Sequence, residues 1–176
     1  MDCFVAYAPL RKRFAFVAGN NAESKMSEKS PKPTPRFTVV TLGVTDMRAS
    51  IAFYEALGFA RKMHATGEAV AFFDTGGTVI ALFPWDQLAR DATLPDHPRP
   101  KTFRGVTLAW NCASREEVDA VLDFAISKGA SLLKPAHETS YGGYSGYFAD
   151  PDNHPWEVVV APGIEVGEDR RVHLAD

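Results

Sequence analysis

YGGYSGYFADPDNHPWEVVV, residues 141–160, reads as two strands joined by a tight turn. The turn lies at Asp150-Pro151-Asp152-Asn153, with Pro where φ is preset and Asn where a left-handed conformation is tolerated. In the second strand one carboxylate, Glu157, stands between Trp156 and Val158. A carboxylate in a strand of this kind is costly unless a metal, a basic partner or a proton pairs with it.

Working outward, the same hairpin is preceded by RGVTLAWN (104–111), a strand, and by a helix with Ser114 and Glu117 as a capping box. Val118, Val121, Leu122 and Ala125 give the helix its apolar stripe, and Gly129 stops it. ASLLKPA then supplies the strand before the hairpin.

The first half carries the same order. RFTVVTLGV alternates as a strand, Asp46 caps a helix striped by Met47, Ile51, Tyr54 and Leu57, and Gly58 ends it. Three short strands follow, the last two joined at DTGG (74–77), where Gly77 is suited to the left-handed conformation. The unit is therefore βαβββ, written twice. Residues 36–84 form module one, 85–103 an exposed, proline-rich linker, and 104–162 module two. Residues 1–35 read as a dispensable polar arm in which Met26 is an alternative start, and 163–176 as a charged tail, either a solvated arm or a dimer contact.

Composition narrows the function classes. The chain has 176 residues, 45% hydrophobic and 23% charged, which fits one compact domain. A net charge of -3 without a basic stripe argues against nucleic acid. No apolar run is long enough to span a membrane. Cys3 and Cys112 are far apart and match no zinc spacing, which places the protein in a reducing cytoplasm.

TLGVTDMRASIAFYEALGF and YFADPDNHPWEV together resemble the two ends of a vicinal oxygen chelate protein, the superfamily of glyoxalases, extradiol dioxygenases and bleomycin-resistance proteins. The resemblance runs from Phe37 to Pro162. It implies an α+β fold in which paired βαβββ modules curl their mixed sheets into a cup, with helices outside. It also implies a homodimer, and in metal-using relatives a divalent ion held by His and Glu from the first and fourth strands of each module.

Those ligand positions correspond here to Val39, Ala81, Thr107 and Glu157, of which Glu157 alone is a normal ligand. The expectation is a small-molecule-binding protein with a degenerate metal site and no cofactor. Its ligand sits in an apolar cup near Glu157, lined by Thr41, Ala109, Asn111, Tyr144 and Phe148. The alternative is a glyoxalase-like lyase or isomerase, or a dioxygenase relative, that uses Glu157 as acid/base or as a residual ligand to a divalent metal. His137 is the best unassigned proton-transfer candidate, and His154 reads as a cap of the turn.

Overall fold

The structure, a computed structural model, describes residues 35–95 and 102–175. The polar arm (1–34) and the middle of the linker (96–101) lie outside the described residues. Module one runs β1 (Val39–Val44), α1 (Met47–Ala56), β2 (Ala60–Lys62), β3 (Ala71–Asp74) and β4 (Val79–Pro84). α2 (Trp85–Asp91) opens the connection. Module two runs β5 (Leu108–Asn111), α3 (Arg115–Ser127), β6 (Ser131–Glu138), β7 (Tyr144–Ala149) and β8 (Pro155–Val160), and β9 (Ile164–Val166) and β10 (Val172–Leu174) follow.

Each module makes a four-stranded mixed sheet, ordered β1-β4-β3-β2 in the first and β5-β8-β7-β6 in the second. In each the first and fourth strands are parallel and the other pairs antiparallel. The fold is the α+β architecture expected from the repeat, with two open sheets. The ladders also align the repeat residue by residue: Thr41 pairs with Ala81 where Ala109 pairs with Glu157.

The local signals act as their chemistry predicts. Asp46 caps α1 by accepting from the backbone N–H groups of Arg48 and Ala49 at 2.9 and 3.1 Å. Ser114 accepts from the Glu117 N–H, and the Glu117 carboxylate returns to the N–H of Ala113. Asn153 takes the left-handed conformation at φ 62.

Three expectations change. In the DTGG turn Gly76 is left-handed, at φ 96, where Gly77 was expected, because the Asp74 carboxylate accepts from the Gly76 N–H at 2.9 Å. The linker begins as α2, packed so closely on β1 that a Cβ on Gly43 would lie 3.1 Å from the Trp85 ring. The tail folds as the β9–β10 hairpin, whose Arg170 and Arg171 rest against Gly76 and Gly77 of module one.

The core is shared between modules. Tyr54, fully buried on α1, meets Phe73 of its own module and Trp156 of the other, at ring-centroid distances of 5.7 and 6.2 Å. Phe59 touches both Trp110 and Trp156. A polar tie runs beside these rings. The Tyr54 hydroxyl donates to Asp150 at 2.9 Å, and the Ser50 hydroxyl and Thr45 N–H donate to Asp152 at 2.9 and 2.7 Å. The β7–β8 turn thus holds the start and middle of α1.

Candidate functional site

The second sheet has one face under α3 and one face away from it. Trp156 and Val158 point toward the helix and are buried, as are Phe148 and the Cα of Gly146. A Cβ on Gly146 would sit 2.6 Å from a methyl of Leu122 on α3 and 2.9 and 3.0 Å from Ala136 N and Lys134 O of β6, so glycine is what lets helix and strand lie this close.

Glu157 alternates to the opposite, open face. Its ladder partners are Ala109 on β5 and Tyr147 on β7. One step along, Val159 pairs with Asn111 and Ser145. The residues beside the carboxylate are therefore small or polar, and Glu157 is half-buried.

The structure brings Ala109, Asn111 and Glu157 together on that face, as the sequence pattern indicates. Tyr144 and Phe148 are corrections. Phe148 stacks on Trp156 at 5.9 Å and is fully buried on the helix side. Tyr144 is on the same side, where its hydroxyl donates to Asp119 of α3 at 3.0 Å. The reason is parity. The pairing of Ala149 with Pro155 across the turn places Tyr147, and not its neighbours, opposite Glu157. Thr41 stands exposed on the other sheet, on the rung equivalent to that of Ala109.

Tyr147 is the residue that the sequence reading missed. Burial first, then hydrogen bonding to Glu157 and the charge of that carboxylate, push its phenol up to about 12. The phenol therefore stays protonated at neutral pH, on the rung opposite the carboxylate. The turn length, counted with its strands, is the signal that could have found it.

Asp150 is the other missed carboxylate, and it is buried deeper than Glu157. It accepts from the backbone N–H groups of Asp152 and His154 as well as from Tyr54, and its carboxylate contacts His154 Nδ1 at 2.8 Å. Burial and the Asp150 charge raise the Tyr54 phenol well above its ordinary value. His154 serves the turn, as expected. Cys112 lies buried behind the sheet, and burial followed by the Glu117 charge lifts its thiol to about 12, which disfavours a thiolate nucleophile.

The donor set does not fit a divalent ion. The four ladder positions offer two aliphatic side chains, one hydroxyl and one carboxylate, and among the described residues no three His, Cys, Asp or Glu side chains converge. A separate cavity of about 430 Å³ lies by the first turn of α3, lined in part by Ser114, Arg115, Gly143 and Tyr144. Its arginine is already paired with Glu138.

The sequence model of the Glyoxalase/Bleomycin resistance protein/Dioxygenase superfamily matches residues 36–158. The chain is 30% identical over 114 residues to the metallothiol transferase FosB of Lysinibacillus sphaericus, spanning 65% of this chain and 74% of that protein. It is also 30% identical to the FosB of Shouchella clausii, over 68% of this chain and 75% of that protein. A solved glyoxalase-related enzyme from Fulvimarina pelagi superimposes with a TM-score of 0.72 at 32% identity, covering 81% of this chain and 100% of its own.

Proposed function

Because the chain belongs to the Glyoxalase/Bleomycin resistance protein/Dioxygenase superfamily, we propose that it binds a small molecule on the open face of its second sheet, against Glu157. The observation that carries this reading is the Tyr147–Glu157 pair beside Ala109. A half-buried carboxylate with a tyrosine beside it and small neighbours around it is a built polar contact with room above it. The metal of the wider family has no donor set here, so this chain's own groups provide the contact. Glu157 accepts hydrogen bonds from the ligand, Tyr147 fixes the carboxylate, and the alanine leaves space.

A second reading is favoured by the relatives, two of which are named transferases and one an enzyme. In it Glu157 moves a proton as general base in a glyoxalase-like lyase or isomerase. Phe37 and Val39, exposed at the start of β1, support a homodimer that covers them. Two widely spaced cysteines fit a cytoplasmic setting.

A thermal-shift panel of small polar metabolites, run in chelator, tests the proposal. A binder gives saturable stabilisation by a compound recovered unchanged, and an enzyme converts that compound. Stabilisation by no compound in the panel would overturn both readings.

A further inference from the structure

The polar groups of the open face fall on two neighbouring rungs. One holds Tyr147 and Glu157, and the next holds Ser145 with His137 beside it on β6. Two irregularities precede it on β6, one between Leu132 and Lys134 and one between Lys134 and His137. Lys134 pairs with Tyr147 and His137 with Ser145, so three steps on β6 match two on β7. Each shift adds one residue to β6, so the two cancel, and His137 keeps the parity of Ser131, whose partner Ala149 shares the face of Tyr147. Ala136 accordingly packs against the hydrophobic core. Pro135, which has no N–H to give a ladder, lies inside the second irregularity on this edge strand.

His137 thus stands on the open face, yet its Nδ1 is buried without a hydrogen-bond partner. A buried polar nitrogen left unpaired is costly and calls for an explanation. Ser145 beside it is 2% exposed.

We propose that His137 and Ser145 form a second polar subsite, and that the ligand spans from it to the Tyr147–Glu157 pair. This rests on the reading that the open face binds a small molecule. At the Glu157 end the carboxylate offers lone pairs, so the ligand must bring an N–H or O–H donor. At the other end an imidazole nitrogen is matched by a hydroxyl, which can donate or accept. Val159 keeps the middle apolar. The two ends are two strands and one rung apart, about 12 Å between backbones at about 4.8 Å per strand and about 7 Å per rung. A molecule with polar ends about 6–8 Å apart, plus a hydrogen bond of about 2.9 Å at each end, spans that distance. The ligand class is a compact amine or alcohol with a hydroxyl at its far end and an apolar segment between.

Tyramine and phenethylamine, which differ by the far hydroxyl alone, test this against the full chain by NMR. Tyramine is expected to shift the His137 ring signals together with the amides of Tyr147 and Glu157. Phenethylamine should shift the amides alone and bind about 5–10-fold more weakly, the worth of one hydrogen bond. His137→Phe should bring tyramine down to the phenethylamine affinity and leave phenethylamine unchanged. The ring signals of the parent protein decide the matter even if that variant misfolds. Equal binding of both amines, with the Tyr147 and Glu157 amides moving and His137 still, would overturn the second subsite and leave the binding reading intact. If neither amine moves any open-face signal, the assigned ligand class is overturned, and the wider reading rests on the metabolite panel.

Discussion

Asp150 uses its carboxylate inside the protein. Four donors or ring contacts surround it, and one of them, the Tyr54 hydroxyl, comes from the other module. Tyr54→Phe removes that donor and keeps the ring. It should cost about 1–3 kcal/mol in urea unfolding, because the buried carboxylate loses a partner. A change below about 0.5 kcal/mol would mean that the tie is idle. Glu157 sits in the same hairpin but faces outward, with Tyr147 as its neighbour. The Tyr147 phenol is raised to about 12. A raised phenol favours the neutral folded form, so its stabilising effect is complete below the unfolded value of about 10 and is lost as pH rises through about 12. In an alkaline absorbance titration, Tyr147→Phe should delete a phenol that ionises near 12. Loss of one that ionises near 10 would contradict the pairing.

At the scale of elements, the sequence announces helices better than it announces strand faces. Asp46, Gly58, Ser114 and Glu117 mark their helix ends through local chemistry, and each acts where its type predicts. Glu157, Ala109 and Asn111 share a face because two parallel strands keep one register. Tyr144 and Phe148 were placed on that face by alternation alone. Alternation does not carry across a turn, whose length sets the parity of the next strand. The two β6 register shifts are illegible for the same reason, since the first extra residue reverses the faces beyond it and the second restores them. The closeness of α3 and of the β6 backbone to β7 depends on Gly146. Gly146→Ala should press on the β6 backbone at Ala136 N and Lys134 O as well as on Leu122, and cost about 1–3 kcal/mol, the usual range for overpacking. A melting curve like the parent's would show that the contact relaxes freely.

For the whole molecule, the repeat predicts two modules, and the rings explain why neither stands alone. Tyr54 and Phe59 pack on Trp156 and Trp110, and the turn that holds α1 belongs to module two. A chain ending at Trp85 should therefore stay unfolded or molten, with poorly dispersed amide signals. A dispersed, folded spectrum would show that module one is self-sufficient. The fold tolerates Val39, Ala81 and Thr107 where the resemblance expects metal ligands, because the ladder needs backbone and apolar side chains, whereas a divalent ion would need stronger donors than these three side chains offer. On the proposed reading, function rests on the open face and Glu157. The most direct measurement is the affinity of a compound from the metabolite panel for the parent and for Glu157→Gln, by calorimetry in chelator. The substitution keeps shape and removes charge, so melting should stay within about 2 °C, well under 1 kcal/mol on the usual scaling. Affinity should fall at least about 10-fold, as for loss of a hydrogen bond to a charged group. Unchanged affinity in a normally folded Glu157→Gln protein would contradict the account.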